Sequence, residues 1–354
     1  MVTIKIIITY PGEWMKRYKI CVIEGDGIGK EVIPETLRVL EILGDFRFIK
    51  GYAGYQCFKR YGDPIPEETI EIAKECDAIL FGAVTTPKPH ELEGKKYRSP
   101  IITLRRELDL YANIRPISNF KDIDFVIIRE NTEDLYVGRE YYNPHTQEAV
   151  AERVITRRGC YRIVRFAFEY ALKHCRRKVS CVHKANVLRI TDGLFLKTFY
   201  EVGEHYKRYN IEANDYLVDA TALYIVKNPQ LFDVIVTTNL FGDILSDEAS
   251  GLIGGLGLAP SANIGDRHGL FEPVHGSAPD IAGKGIANPL ASILSGAMML
   301  QYLGMERESR ILRMAVKSVV EKGYTTPDLG GNLKTREVTD KVIEELRRYL
   351  EVME

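Results

Sequence analysis

Short apolar runs alternate with longer amphipathic stretches along most of the chain. The apolar runs predict strands that end in polar residues, namely YKICVIEG (18–25), DAILFGAV (77–84), DFVIIRE (124–130), KVSCVHKA (178–185) and DVIVTTN (233–239). Apolar positions at helical spacing predict helices over 29–43, 159–174, 191–208, 219–227, 240–253, 288–302, 306–322 and 335–350. This alternation predicts an α/β fold with a largely parallel sheet, in which ligands bind beyond the carboxyl ends of the strands.

Two segments depart from this alternation. Tyrosine, valine and charged residues alternate around Asn143 and Pro144 within 136–158, which predicts a hairpin that projects as a clasp between subunits. The segment GGLGLAPSANIG (254–265) is the most glycine-rich passage and predicts a hinge.

Composition narrows the possible partners. A chain of 354 residues is long enough for two domains, and a net charge of −1 offers no general field for nucleic acid. The stretch MVTIKIIITY is too short to span a bilayer, so we expect no membrane partner. The six cysteines have no metal-ligand spacing, and reduced thiols fit the cytoplasm, which is the expected location. Residues 1–14 are predicted to be an extension that precedes the first strand.

An acidic pair lies in TTNLFGDILSDEASGLIGG (237–255), where Asp243 and Asp247 are four residues apart on one predicted helix face. Two carboxylates without a nearby histidine or thiolate suit a hard cation such as Mg²⁺ or Mn²⁺. A solvated acidic face is the alternative, although the flanking residues are apolar and rich in glycine. The residues alone leave both interpretations open.

Arginines and two titratable side chains flank the predicted strand ends. A guanidinium donates two parallel hydrogen bonds to a carboxylate, so Arg105, Arg115 and Arg129 together predict a pocket for a polyanionic substrate. Lys184 directly follows a predicted buried strand and is a candidate general base, and Tyr136 is the matching candidate acid. Each of these residues taken alone is more often an ordinary surface group.

Five long motifs follow one another in the order of a known family, namely LRRELDLYANIRP, RENTEDLYVG, HKANVL, NLFGDILSDEASGLIGGLGLAPSANIG and EPVHGSAPDIAGKGIANP. From Tyr18 to the C-terminus the chain resembles the β-decarboxylating dehydrogenases of the isocitrate/3-isopropylmalate/homoisocitrate dehydrogenase family. The resemblance implies an isopropylmalate dehydrogenase-like α/β fold. Two domains would share the sheet, with 1–110 and 254–354 on the cofactor side and 111–253 carrying the dimer contacts and the clasp.

The resemblance also implies a reaction and roles within it. The family oxidatively decarboxylates 3-substituted malates to 2-oxo acids and CO₂, with NAD and with Mg²⁺ or Mn²⁺. Arg105, Arg115 and Arg129 would bind the malate-like carboxylates. Lys184 would relay the hydroxyl proton, and Tyr136 would protonate the enol that remains after decarboxylation.

The metal site implied by the resemblance is shared between subunits. Asp243 and Asp247 would bind the cation together with Asp219 of the partner subunit, and Lys184 would also come from the partner. A homodimer is therefore expected, and the pairing of dimers into tetramers is left open. A monomer should be inactive.

The implied cofactor segment lies at 272–289, where His275, Gly276, Asp280, Ile281 and Asn288 match positions that contact the adenosine part of the dinucleotide. A carboxylate at 280 accepts hydrogen bonds from both ribose hydroxyls and repels a 2′-phosphate. NADP-using relatives carry a Lys-Tyr pair at these two positions, so the resemblance implies NAD.

The earlier glycine turn in VIEGDGIGKEV (22–32) is a weaker candidate for a dinucleotide site. Gly25 and Gly27 fit a dinucleotide fingerprint, but Lys30 stands where the third glycine belongs. The turn is predicted to be scaffold, with Asp26 capping the helix that follows.

The segment YRSPIITLRR (97–106) bears on the substrate. Ser99 matches a serine that isocitrate enzymes use on the distal carboxylate, whereas Ile101 replaces their asparagine and matches an apolar residue of isopropylmalate enzymes. Arg98 replaces a glutamate of the latter and would meet a longer acidic tail. These features favour homoisocitrate, with 3-isopropylmalate next and isocitrate third. A catalytically silent, NAD-binding regulatory subunit is the alternative from a different class.

Overall fold

The computed structural model describes residues 17–92 and 94–352, so the predicted extension at 1–14 lies outside the described residues. The strands are β1 (Tyr18–Gly25), β2 (Phe46–Lys50), β3 (Ala78–Ala83), β4 (Ala112–Ser118), β5 (Asp124–Glu130), β6 (Glu140–Asn143), β7 (Glu148–Ala151), β8 (Lys178–His183), β9 (Glu212–Leu217), β10 (Val234–Thr237), β11 (Pro260–Ile264) and β12 (Gly269–Pro273). The helices are α1 (Gly29–Leu43), α2 (Tyr55–Tyr61), α3 (Glu67–Glu75), α4 (Pro100–Glu107), α5 (Arg157–Lys173), α6 (Thr191–Tyr206), α7 (Val218–Lys227), α8 (Asn239–Leu252), α9 (Leu290–Tyr302), α10 (Glu306–Glu321) and α11 (Thr335–Val352). Among these described helices, none is both long and apolar enough to cross a bilayer.

One sheet runs through the whole molecule. Its ten strands have the order β2-β1-β3-β12-β11-β4-β5-β10-β8-β9. Neighbouring strands are parallel towards both ends of the sheet. The centre is antiparallel, because β11 pairs with β12 and β4, and β4 pairs with β5. The predicted α/β class with a largely parallel sheet is confirmed.

Helices cover both faces of the sheet, as the apolar strand sequences require. Along β1, Ile20 and Val22 belong to the large apolar cluster that includes residues of α1 and α9. Cys21 and Ile23 belong to a second cluster that includes residues of α3 and α4. Successive residues of a strand point to opposite faces, so each face of β1 has its own helical layer.

Every strand predicted from an apolar run is present, since such runs have buried residues on both faces. In β3, all six residues are buried. The prediction misses β2, β4, β9, β11 and β12, none of which contains a long continuous apolar run. Strand β4 (ANIRPIS) contains an arginine and a proline, β9 (EANDYL) is a polar edge strand, and β11 lies inside the segment predicted to be a hinge.

The predicted hairpin is also present. Strands β6 and β7 form a separate antiparallel pair, with Glu140 opposite Ala151 and Asn143 opposite Glu148. The side chains of Tyr141, Tyr142 and Val150 are exposed. Exposed aromatic and aliphatic groups on a projecting ribbon are typical of a surface that meets another chain.

The strands of the two predicted parts of the chain occupy different halves of the sheet. Strands β2, β1, β3, β12 and β11 come from 17–110 and 254–352, and the other half of the sheet comes from 111–253. The division into two domains stays a prediction, and its boundary would run between β11 and β4.

Strand β4 places different side chains on the two faces of the sheet at its centre. Asn113 and Arg115 pair in register with Arg129 and Ile127 of β5, so these side chains share one face. The alternate residues of β4, such as Ile114 and Pro116, face the other side. The basic side chains of β4 and β5 are therefore presented to α8.

The glycine turn after β1 allows the backbone to pack closely against a neighbouring segment. Gly27 has a φ of +53°, and a Cβ on this residue would lie 2.0 Å from the carbonyl oxygen of Ser277. Asp26 does not cap α1, contrary to the prediction. Its carboxylate accepts hydrogen bonds from the backbone N–H groups of Tyr55 (2.7 Å) and Gln56 (3.0 Å), at the start of α2. Asp26 and the start of α2 are far apart in the chain, so the sequence around the glycine turn could not reveal this contact.

Candidate active site

The side chains of Arg115 and Arg129 meet at one carboxylate, that of Asp243 on α8. Arg129 Nη1 lies 2.5 Å from Asp243 Oδ1, and Arg115 Nη2 lies 3.4 Å from the same oxygen. Arg115 Nη1 lies 3.3 Å from Oδ1 of Asp247, one helical turn further on. The structure thus brings together two of the predicted arginines and both aspartates of α8. Arg115 lies within β4 rather than at a strand end. Strand β4 itself was not predicted.

Burial makes these guanidinium groups strong sites for anions. Arg115 is 6% exposed and Arg129 is 1% exposed. Burial lowers the pKa of Arg129 to about 10, with Arg115 acting in the same direction and Asp243 opposing. Burial likewise lowers the pKa of Arg115. Charged groups that have lost water depend on charged partners, so further carboxylates are favoured here.

Arg105 approaches from α4, inside the helix rather than after a strand. Its Nη2 lies 3.1 Å from Glu272 Oε1, and its Nε is buried with no hydrogen-bond partner in the part of the chain that the structure describes. Leu104 is fully buried in the cluster below the helix and orients this turn of α4. An unpaired buried donor fits the predicted substrate role.

Two residues that the sequence reasoning missed orient the arginines. Asn239 Oδ1 accepts hydrogen bonds from Arg129 Nε (3.0 Å) and Nη2 (2.7 Å). Glu272 accepts from Arg105 and, at 2.8 Å, from Asn263 Nδ2. Both residues stand at the beginnings of the motifs NLFGD and EPVHG, and this position is the signal that could have found them.

Tyr136 joins the same cluster. Its hydroxyl donates to Asp243 Oδ2, and the guanidinium carbon of Arg129 lies 5.1 Å from the centre of its ring. Burial raises the pKa of Tyr136, Arg129 opposes this, and the hydrogen bond to Asp243 adds to it. Arg106 Nη2 donates to the Tyr136 carbonyl oxygen at 2.6 Å. The phenol is therefore held in its protonated form beside an anionic carboxylate.

The donor set on α8 fits a hard divalent cation. Burial raises the pKa of Asp243, but Arg129 and Arg115 outweigh it and hold that pKa below its ordinary value. The side chain of Asp243 is 38% exposed and that of Asp247 is 59% exposed, so their oxygens are open to a ligand. Within the described residues, no three acidic, histidine or cysteine side chains come together as a metal cage. A third protein ligand would have to come from elsewhere.

Asp219 and Lys184 form a separate pair. Lys184 Nζ lies 2.5 Å from Asp219 Oδ1, and the two side chains are 26% and 64% exposed. The backbone N–H of Lys184 donates to the buried carboxylate of Asp192 at 2.6 Å, which fixes the chain where β8 ends. The two residues pair with each other, and among the described residues no hydrogen bond or ion pair joins either of them to the Asp243 cluster of the same chain.

The predicted cofactor segment follows β12 as an irregular turn beside α1. Glu31 of α1 anchors it by accepting hydrogen bonds from the backbone N–H groups of Gly283 (2.5 Å) and Gly285 (3.0 Å). His275 Nε2 is buried without a partner among the described residues, and Gly276 has open space around it. A partnerless buried nitrogen next to open space fits a polar ligand such as a nucleotide.

The remaining residues of the predicted cofactor segment differ in their surroundings. Asp280 and Ile281 lie in the turn, where Asp280 is exposed and Ile281 packs near Ile28. Asn288 is buried, and its Nδ2 donates to Asp328 Oδ2 at 3.0 Å. The exposed carboxylate of Asp280 is therefore the group most open to an incoming ligand.

The predicted substrate-selecting residues surround the start of α4. Ser99 is the N-cap of α4 and makes no capping hydrogen bond with its side chain. Ile101 packs against the cluster below the helix. Arg98 is engaged locally, since its Nη2 lies 3.0 Å from Asp63 Oδ2 and donates to the Ile65 carbonyl oxygen at 2.8 Å.

The chain is similar in sequence and structure to known proteins. The model of the isocitrate/isopropylmalate dehydrogenase family matches residues 19–342. The chain belongs to this family. It is therefore an enzyme, a β-decarboxylating dehydrogenase.

Individual members of the isocitrate/isopropylmalate dehydrogenase family are similar over nearly the whole chain. A homoisocitrate dehydrogenase of Methanocaldococcus jannaschii is 63% identical over 94% of this chain and 99% of its own. A 3-isopropylmalate/3-methylmalate dehydrogenase of the same organism is 54% identical, over 93% and 99%. The crystal structure of an isocitrate dehydrogenase from Methylococcus capsulatus has a TM-score of 0.88 and 44% identity, over 93% and 99%. The expected isopropylmalate dehydrogenase-like fold is confirmed.

Proposed function

We propose that this chain catalyses the NAD-dependent oxidative decarboxylation of homoisocitrate to a 2-oxo acid and CO₂, with Mg²⁺ or Mn²⁺. The observation that carries this substrate is the high identity to a homoisocitrate dehydrogenase over almost the full length. The three buried arginines, two of them on the α8 aspartates and Arg105 on Glu272, support a substrate with several carboxylates.

Arg105, Arg115 and Arg129 bind and orient the malate part of the substrate. Their guanidinium groups come from one helix and two strands and are held by Glu272, Asn239 and the α8 carboxylates. Rigidly held donors do not have to be ordered during the reaction. Removing any one of them leaves a substrate carboxylate without its partner.

The divalent cation would be held by Asp243 and Asp247 together with Asp219 of the partner subunit. When bound, it supplies Lewis-acid chemistry that acidifies the substrate hydroxyl and polarises the 2-oxo group, while NAD supplies the hydride acceptor. Tyr136 holds a proton at its hydroxyl oxygen, since burial raises its pKa, and delivers that proton to the enol carbon. Lys184 accepts the hydroxyl proton at Nζ.

A homodimer is the assembly that supports this site. Asp219, Leu223 and Val226 follow one another at helical spacing on α7, and both apolar side chains are 57% exposed. On the adjoining α8, Ile244 is 59% exposed next to Asp243. An apolar surface that carries a metal-ligand candidate fits a contact in which each subunit completes the site of the other.

Asp280 should decide the cofactor. Asp280→Lys combined with Ile281→Tyr is expected to shift the ratio of kcat/KM with NAD to kcat/KM with NADP by about 10²-fold or more towards NADP. The added lysine attracts the 2′-phosphate that the carboxylate repels, and the tyrosine hydroxyl can donate a hydrogen bond to it. The control is Asp280→Asn, which should weaken NAD use without a gain in NADP use. An unchanged ratio in the double variant would show that Asp280 does not select the cofactor.

Arg98 is expected to contribute to substrate choice through a distal carboxylate. Arg98→Met should lower kcat/KM for homoisocitrate by about 10- to 100-fold and leave that for 3-isopropylmalate nearly unchanged, because only the former has an extra carboxylate. The matched control is the exposed neighbour Lys96→Met. Equal losses with both substrates would mean that Arg98 acts only by anchoring the loop at Asp63 and Ile65.

Steady-state kcat/KM with NAD on homoisocitrate, 3-isopropylmalate, isocitrate and malate tests the proposed substrate. Homoisocitrate should have the highest value. 3-Isopropylmalate is the second candidate, which the similarity to the 3-isopropylmalate/3-methylmalate enzyme favours. Turnover of none of the four would support a silent NAD-binding subunit instead, although the aspartates, Lys184 and Tyr136 are all in place.

A further inference from the structure

A second cleft lies behind β4, on the face of the sheet opposite Arg115. Two adjoining cavities, of about 520 and 270 Å³, share the lining residues Pro116, Tyr170, His174, Gln301 and Arg313. Ile114 and Pro116 face this side because strand residues alternate between faces. We call the two cavities together the rear cleft, bounded by α5 on one side and by α9 and α10 on the other.

One face of α10 is basic where it borders the rear cleft. Arg310, Arg313 and Lys317 recur at intervals of three and four residues and line the larger cavity together with Met314. A helix face that served only for packing would be apolar, whereas a solvated face is charged. Arg310 and Lys317 are exposed and Arg313 is half-buried, so Arg313 is the cation that lies deepest in the cleft.

Most charges of the rear cleft are paired. Arg176 lies 2.7 Å from Asp124 and 3.0 Å from Asp233. Lys317 lies 3.7 Å from Glu321, and the lining acid Glu169 is held 3.3 Å from Arg165. Glu306, a further lining acid, lies 4.0 Å from Lys173.

Arg310 and Arg313 are the exceptions. Across residues 17–92 and 94–352, neither has a carboxylate within ion-pair distance. The single hydrogen bond of the Arg313 side chain runs from Nη2 to Gln301 Oε1 at 3.4 Å. The cleft therefore contains an excess of positive charge at two guanidinium groups.

Arg313 is half-buried and stands between the two cavities. Burial lowers its pKa, and the nearby Tyr170 opposes this. His174 stacks on Tyr170 with 4.1 Å between ring centres, and burial together with Lys173, Arg313 and Arg176 lowers the pKa of His174 to about 4, against the opposing Glu306. The imidazole is thus neutral at neutral pH, first because it is buried and then because of the cations around it.

The smaller cavity is mainly apolar. Its lining includes Ile114, Phe166, Ile264, Phe271 and Met298. A ligand that reaches from Arg313 into this space would bury an apolar body there, and its charged end would remain near α10.

We propose that the rear cleft binds an organic anion, with a carboxylate or phosphate group on Arg313 and Arg310 and an apolar body in the smaller cavity. This site is separate from the Asp243 cluster, which lies across the sheet. It does not depend on the proposed substrate.

The test uses the full-length protein with the fluorescent probe 8-anilinonaphthalene-1-sulfonate, which joins an anionic group to an aromatic body. The probe should bind the wild type, and hexanoate or inorganic phosphate should displace it, with the stronger competitor identifying the head group. Arg313→Met should weaken probe binding by about tenfold or more, because charge-assisted hydrogen bonds are lost. Arg313→Lys should retain part of the affinity.

The matched control is Arg336→Met, which removes an exposed arginine of α11 that does not line the cleft. It should bind the probe like the wild type. The same affinity in the wild type and in a folded Arg313→Met variant would overturn the proposal. Failure of both hexanoate and phosphate to displace the probe would also overturn it.

Discussion

Asp243→Asn is expected to lower kcat by on the order of 10³-fold or more, since removal of one metal ligand forfeits several kcal/mol of charge stabilisation. The loss of kcat should be larger than the loss caused by replacing any other single side chain on α8. Asp243 accepts hydrogen bonds from Arg129, Arg115 and Tyr136 at once. Its loss therefore disturbs both the arginines that bind the substrate and the tyrosine that acts as the acid. Binding of Mg²⁺ or Mn²⁺, measured by calorimetry, should weaken in parallel.

The matched control for Asp243→Asn is Glu248→Gln on the same helix. Glu248 follows Asp247 and lies on a different side of α8, so its loss should leave kcat within about twofold. Thermal unfolding of both variants checks that the fold is kept. A folded Asp243→Asn enzyme with the wild-type rate and metal dependence would contradict the metal assignment.

Mixing two inactive variants is expected to restore about a quarter of the wild-type activity. Random pairing makes about half of the dimers mixed, and each mixed dimer has one intact site of its two. The variants are Lys184→Met and Asp243→Asn. Lys184→Met alone should lose about 10²- to 10⁴-fold in kcat, the range for removal of a general base. In a mixed dimer, the intact Lys184 and Asp219 of one subunit meet the intact Asp243 of the other.

The measurement is activity after refolding the two variants together, with mass spectrometry to count mixed dimers. Each variant refolded alone is the control and should stay inactive. No recovery in a sample that contains mixed dimers would mean that each site is built within one chain. Lys184 and Asp219 pair with each other and not with the Asp243 cluster of their own chain, which is the reason to expect recovery.

Local pattern was enough to predict much of the candidate site. The pairing of Asp243 with Asp247 followed from helical spacing, and α8 has that spacing in the structure. The ends of β5 and β8 placed Arg129 and Lys184 correctly, because buried apolar runs are recognisable without their neighbours. Arg115 was recognised as a candidate, but its strand was not, since a proline and an arginine are atypical of a central strand.

The amino-acid sequence by itself determined the order of most strands and helices, the family and the chemical types of the site residues. These properties depend on local periodicity and on motifs that are continuous in the chain. Only the tertiary structure decided which charges compensate one another: Asp243 with two buried arginines, Glu272 with Arg105, and Asp26 with the start of α2. It also decided that β4 and β11 pair antiparallel at the centre of the sheet, and that Arg313 behind them has no carboxylate partner among the described residues. The physical reason is that pairing and desolvation depend on groups that are far apart in the chain and meet only when the sheet is formed.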